Sequence, residues 1–439
     1  MLESFISAHN VLISAGLLLL AYIFIATEKI PKVTIALLGA GITILLGLVS
    51  QSKMTGGLIN PHYFANFVDF NVIFLLVSMM IIVNISTKSG VFNWVANELL
   101  KLTKGHPIAI LATLGLFTAV VSAFLDNVTT VILIMPVTFF IAKKLEVTPI
   151  PFLLTEIFTS NIGGTATLIG DPPNIIIGSA AGLSFMDFVN NLTPVIAVIL
   201  LVVIAYLAVV FKNKLKATPE KMQEVANIDN TNTITDKNLM IRSLTVLSLV
   251  ILGFVTHDIT HIETCVAAML GASFLLLFEK PTEILRDVEW NTIFFFVGLF
   301  IIIGGLEASG GIKLMAEWIL KVTQGSQEAT SMLILWASGI ISGIIDNIPY
   351  TATMSPMLVE IQKVMGVDYT IPLWWSLSLG ACLGGNMTII GAAANVIVSE
   401  NAAKEGYPIT FMQFLKYGVV VVTISLLSSS FYLYFKYLT

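Results

Sequence analysis

Apolar runs of about 17–20 residues recur along the whole chain, separated by short polar breaks; a run of that length suffices for a helix to cross a bilayer. The pattern predicts spans at 10–27, 31–50, 70–87, 150–182 and 190–211, then at 243–257, 262–278, 291–307, 371–401 and 412–435. Spans 150–182 and 371–401 are interrupted by glycine and, in the first, proline, which cannot continue one straight helix. Two further pairs of short apolar segments, 107–143 and 327–362, each surround an Asp-Asn pair. These read as re-entrant hairpins that enter and leave on one side. Ahead of each hairpin, 91–104 and 311–324 carry a polar stripe at i, i+4, i+8: Asn93, Asn97 and Lys101, then Lys313, Glu317 and Lys321. Such amphipathic helices lie in the membrane interface rather than across it.

The pattern repeats. FLDNVTT (124–130) returns as IIDNIPY (344–350), and VDFNVIF (68–74) as VEWNTIF (288–294). Ser89-Gly90 matches Ser309-Gly310, and GGTATLIGDPPN (163–174) matches GGNMTIIGAAAN (384–395). The chain therefore divides into a first repeat, 1–211, a polar linker, 212–242, and a second repeat, 243–439. Five crossings per half is an odd number, so the halves have opposite orientation, the inverted-repeat plan of secondary transporters. With the N-terminus outside, seventeen of the 22 Lys and Arg residues fall inside; only Lys53, Lys313, Lys321, Lys363 and Lys436 fall outside. That bias predicts both termini outside and the linker in the cytoplasm.

Composition agrees: 56% hydrophobic and 11% charged residues, against about 25% charge in soluble domains. The expected class is an all-α polytopic membrane protein. Cys265 and Cys382 sit far apart in apolar runs and define neither a disulfide framework nor a zinc site. The first apolar stretch lacks a basic leader and reads as a retained helix. His257, His261 and Glu263 have metal-like spacing but fall at an expected external turn. No nucleotide loop, catalytic triad or HExxH occurs, so the chain reads as neither an enzyme nor a nucleic-acid binder.

The candidate chemistry lies where polarity interrupts the apolar pattern. A carboxylate at membrane depth costs ~2.5–3.5 kcal/mol unless paired or hydrated. Asp126 and Asp346 could simply cap helices, or could bind Na⁺ or carry H⁺ together with Asn127 and Asn347. Thr129 and Thr130 could add hydroxyls in the first half; Pro349 and Tyr350 stand there in the second, so the two sites need not be chemically equal. Beside the helix breaks, Gly164, Thr167, Asn174, Gly385, Thr388 and Asn395 are candidate ligands, with Asn161, Thr165 and Asn386 as weaker ones. Asp171 has no acidic counterpart, because Ala392 takes its place; it is either a proton group or a solvated residue. Glu156 is a proton relay or part of a polar seam. No Lys or Arg occurs between Leu145 and Phe211 or between Gln324 and Gln362, so these segments offer a multivalent anion no basic side chain.

SAFLDNVTT (122–130), with SNIGG (160–164) and IGDPPN (169–174), closely resembles the ion transporter superfamily in its arsenite-permease/P-protein branch. D-type sodium/proton antiporters and sodium-coupled dicarboxylate carriers are more distant relatives. The resemblance spans nearly the whole chain. It implies a homodimer, scaffold and transport domains, opposed hairpins and elevator-type movement. The expected location is the inner (cytoplasmic) membrane. Dicarboxylate carriers have Ser-Asn-Thr at the tips; Asp126-Asn127-Val128 and Asp346-Asn347-Ile348 stand there in this chain. Asp for Ser favours cation or proton coupling. The expectation is an ion-coupled carrier of a small solute, arsenite or another small anion, needing no cofactor beyond Na⁺ or H⁺. A sodium/proton antiporter and an uncoupled anion permease are the alternatives.

Overall fold

The computed structural model describes residues 8–27, 29–49, 65–227, 230 and 233–439. Among these residues every regular element is a helix. The first repeat opens with Asn10–Thr27, Lys32–Leu45 and Phe70–Lys88, followed by the amphipathic helix Val91–Leu102. Its hairpin arms are Pro107–Ser122 and Asn127–Leu145, its broken helix is Ile150–Gly164 plus Pro172–Ala181, and Thr193–Phe211 closes it. The second repeat gives Lys237–Val255, Thr264–Leu276, Trp290–Ala308, amphipathic Gly311–Val322, hairpin arms Gln327–Ser342 and Asn347–Met365, broken helix Val367–Gly384 plus Ala393–Lys404, and Phe411–Leu433. Among the described residues, seven helices are long and apolar enough to cross a membrane. Lys53, expected outside, lies beyond the described residues.

The second span of each repeat differs from the sequence expectation. Lys32–Leu45 ends five residues early, at a turn through Gly47 (φ 68°). It and its counterpart Thr264–Leu276 have 14 and 13 residues, about 20 Å of helix each, well short of a ~30 Å hydrocarbon core. Each packs against the third span of the opposite repeat: Lys32–Leu45 on Trp290–Ala308, and Thr264–Leu276 on Phe70–Lys88. At the first contact a Cβ on Gly298 would lie 2.6 Å from the Ala36 backbone. Small residues permit that approach, as between membrane helices generally.

The broken helices make the same exchange. Pro172–Ala181 packs on Asn347–Met365, and Ala393–Lys404 on Asn127–Leu145. Contacts that recur with the halves exchanged are what a two-fold relation between repeats produces. Within each half the first hairpin arm lies against the first arm of the broken helix. A Cβ at Gly163 would sit 2.1 Å from the Ala119 carbonyl oxygen, and one at Gly384 2.5 Å from that of Gly339. The first glycine of each repeated Gly-Gly thus serves helix approach. The Ser-Gly repeat has a backbone cause too: Gly90 and Gly310 both take φ near +80° (80° and 85°), a conformation that penalises other residues.

The linker is docked rather than loose where it is described. Asn230 donates to the Trp94 carbonyl and to Glu98 Oε1, both at 2.9 Å, and accepts from Asn97 Nδ2 at 3.1 Å. The amide of Asn230 and the ammonium of Lys101 hold the Glu98 carboxyl below the usual carboxylate range. The outer face of Asn10–Thr27 exposes Leu12, Leu19, Leu20, Ile23 and Phe24, a surface suited to lipid.

Candidate functional site

Both hairpin tips reach one cavity of about 330 Å³. Asp126, Asn127 and Val128 line it from the first tip, and Asp346, Asn347 and Ile348 from the second. Asp171 and Pro172 come from the first helix break, and Ala392 and Ala393 from the second. Lys32, Glu289, Thr292 and Glu400 complete the polar wall.

Each tip is a helix start, and each aspartate caps it. Asp126 accepts from Thr129 N at 2.9 Å and from Thr129 Oγ1 at 2.5 Å. Asp346 accepts from Ile348 N at 3.0 Å on one oxygen. Its other oxygen takes the Lys32 ammonium at 3.0 Å. Capping and lining the cavity are therefore not exclusive: a carboxylate at a helix N-terminus gains from the dipole while still facing the cavity.

Asp171 links the tips. It is 1% exposed. Asn127 Nδ2 donates to its Oδ1 and Asn347 Nδ2 to its Oδ2, both at 3.3 Å. Asp171 stands at the N-cap of Pro172–Ala181 without a side-chain cap bond: the two prolines that follow carry no N–H, and the next amide, Asn174 N, donates to the Asp171 carbonyl at 2.9 Å instead. Its carboxylate is left to face the tips. In the other half Ala392 holds this place, so one carboxylate serves both asparagines. Behind it runs a buried amide seam between the repeats. Asn161 accepts from Asn127 at 3.0 Å and donates to Asn386 Oδ1 at 2.8 Å and Asn395 Oδ1 at 3.0 Å.

Other candidates face their own backbone instead. Asn174 Nδ2 donates to the carbonyls of Thr165 (3.1 Å) and Thr167 (2.8 Å); Asn395 Nδ2 donates to those of Gly385 (2.8 Å) and Thr388 (2.9 Å). The Thr167 hydroxyl donates to the Ala123 carbonyl and that of Thr388 to the Gly343 carbonyl, the latter at 2.6 Å. These four residues satisfy the carbonyls that a broken helix exposes and pin each break to its hairpin turn. None lines the cavity. Gly164 and Gly385 permit the break to fold back: a Cβ would lie 2.7 Å from the Gly170 carbonyl oxygen and 3.1 Å from that of Gly391. Thr129 serves the Asp126 cap, Thr165 bonds the Asn161 carbonyl at 2.7 Å, and the buried Thr130 hydroxyl has no hydrogen-bond partner among the described residues. Glu156 is buried against the Thr138 hydroxyl in a seam between helices, away from the cavity.

Sequence reasoning missed Lys32, Glu289, Thr292 and Glu400. The lysine-free stretches are real, but the cavity's basic group comes from a different element. One signal was available: Lys32 is the first residue of an apolar helix, the end where the dipole disfavours a cation. Glu289 was visible as the repeat partner of Asp69. A second cavity, about 220 Å³, is lined by Val72, Ile175, Ser179, His257, Glu263 and Cys265 among others. Val72, Ile175 and Ser179 are the repeat counterparts of Thr292, Val396 and Glu400. This cavity is thus the other half's version of the outer wall, without the hairpin tips. Among the described residues no three His, Cys, Asp or Glu side chains group so as to hold a metal ion.

An inverted helical repeat whose paired tips meet at one carboxylate-lined cavity is the plan of a membrane transporter. The model of the citrate transporter family matches residues 22–380, and the chain belongs to that family. It is 42% identical over 425 residues to an uncharacterized transporter of Mycobacterium bovis, covering 95% of this chain and 96% of that one. It is 40% identical to a 46 kDa membrane protein of Mycobacterium leprae, covering 97% and 99%. The human P protein is 30% identical over 95% of this chain and 59% of its own length. The crystal structure of the Alcanivorax borkumensis YdaH transporter superposes with a TM-score of 0.57 at 13% identity, covering 97% of both chains; that likeness concerns the fold alone.

Proposed function

We propose that this protein is a cation-coupled secondary transporter of the cytoplasmic membrane that carries a small anionic solute together with Na⁺ or H⁺. One observation carries this reading: among the described residues, five carboxylates (Asp126, Asp171, Asp346, Glu289, Glu400) and a single ammonium (Lys32) line one cavity between the two tips. A citrate-type anion entering alone would meet net repulsion. Accompanied by cations it would not, and the anion's charge then has Lys32 to pair with. Asp171, Asp346, Asn127 and Asn347 are the proposed cation ligands, through carboxylate and amide oxygens. Lys32, Glu289 and Glu400 line the cavity at span ends that the lysine and arginine bias puts inside, which supports a cytoplasm-facing state with both termini outside. The movement proposed is an elevator-type shift of hairpins and broken helices against the remaining spans, in a homodimer.

The same excess of carboxylates also supports a sodium/proton antiporter. Uptake into proteoliposomes of citrate, phosphate, arsenite, chloride and sodium, read with an internal pH dye, separates the two. Solute accumulation that requires a Na⁺ or H⁺ gradient supports the first reading. Proton movement on addition of sodium alone supports the second, and gradient-independent anion flux contradicts both.

A further inference from the structure

We infer that Lys32 is the resident counter-ion of the coupling-cation site: it occupies Asp346 when no cation is bound, and the arriving cation displaces it. This rests on the cation-coupled reading above and names the group that regulates that site.

The Lys32 ammonium lies 3.0 Å from Asp346 Oδ2 and 5.1 Å from the centre of the buried Phe295 ring. Lysine is a poor choice for the first residue of a helix, where the dipole repels it; its placement is offset only by what it faces. The other charged groups described on the cavity wall, Asp126, Asp171, Asp346, Glu289 and Glu400, are all acidic. Asp126 already accepts from Thr129 on both oxygens, and Asp171 accepts from both tip asparagines. Asp346 is the tip carboxylate whose second oxygen is held by a displaceable cation. Lys32–Leu45 packs on Trp290–Ala308, whereas Asp346 belongs to the second hairpin, so the pair ties two separate parts of the fold. A Na⁺ or H⁺ on Asp346 releases that tie. It also frees the Lys32 ammonium for an anionic solute, so cation and anion assist each other's binding.

The test measures the apparent affinity of transport for Na⁺ at fixed pH and for H⁺ without sodium, in wild-type, Lys32→Gln and Lys32→Arg proteins. Lys32→Gln is expected to raise the affinity for the driving cation about tenfold, because the competing charge is gone. Unchanged or weaker affinity for both cations in Lys32→Gln overturns the inference. Lys32→Arg keeps the charge and is expected to hold the affinity at or below the wild-type value; a higher affinity overturns the inference, and this variant decides should Lys32→Gln not fold. Wild-type transport that ignores both cations would instead sink the cation-coupled reading.

Discussion

Asn127 and Asn347, which are 220 residues apart in the chain, donate their side-chain amides to the two oxygens of one carboxylate, that of Asp171, each at 3.3 Å. The two hairpin tips are thereby tied through a charge that only the first repeat supplies. A symmetric scaffold thus encloses an asymmetric site.

Asp171→Asn should remove that charge while keeping the shape. Coupled uptake in proteoliposomes is expected to fall at least a hundredfold, while the purified protein stays monodisperse on size exclusion. Uptake within threefold of wild type would mean that Asp171 is only a structural acceptor.

The tip aspartates both cap and line the cavity, and substitutions can separate the roles. Asn caps about as well as Asp, so Asp126→Asn should melt close to wild type, and Asp346→Asn lower only by the lost Lys32 pair; both should lose coupled transport. The Ala variants should lose about 1 kcal/mol more stability through the missing cap. Equal melting of the Asn and Ala variants would show that the caps contribute little.

Asn174 and Asn395 should behave as structural residues. Each amide satisfies two carbonyls of its own helix break. Replacing either by Ala leaves those buried carbonyls short of a donor, at about 1–3 kcal/mol each. Thermal melting should fall clearly, and the affinity of the remaining transport for its driving cation should not change. A selective change in cation affinity would make them ligands after all.

Gly163→Ala tests the close approach of the hairpin arm to the broken helix. The added methyl would lie 2.1 Å from the Ala119 carbonyl oxygen, whereas one at Gly16 meets nothing within 4 Å. Gly163→Ala should cost about 1–3 kcal/mol or more and reduce folded yield, while Gly16→Ala should melt as wild type. Indistinguishable melting curves would contradict the packing described for the hairpins.

Much of this was legible in the sequence because the repeat is written in residue types. The Asp-Asn tips, the Gly-Gly breaks and the amphipathic stripes of 91–104 and 311–324 each correspond to a described helix boundary or helix. The apolar pattern overstates Lys32–Leu45 because apolar residues continue past Leu45; hydropathy does not register a turn at Gly47. Thr167, Thr388, Asn174 and Asn395 are polar residues beside the breaks. A polar residue at a break has two uses, to satisfy the exposed carbonyls or to bind a ligand, and spacing alone does not tell them apart. Lys32 was missed because the partner that gives it meaning, Asp346, stands more than 300 residues away and on another element.

The most direct measurement is thermal melting of the purified protein against Na⁺ at alkaline pH and against pH without sodium, for wild type and Asp171→Asn, since a ligand that binds only the folded state raises its melting temperature. The wild-type melting temperature should rise by several degrees with one of the two cations, and Asp171→Asn should not respond. An equal rise in both proteins, or none in the wild type, would contradict a cation site shared by the two hairpin tips.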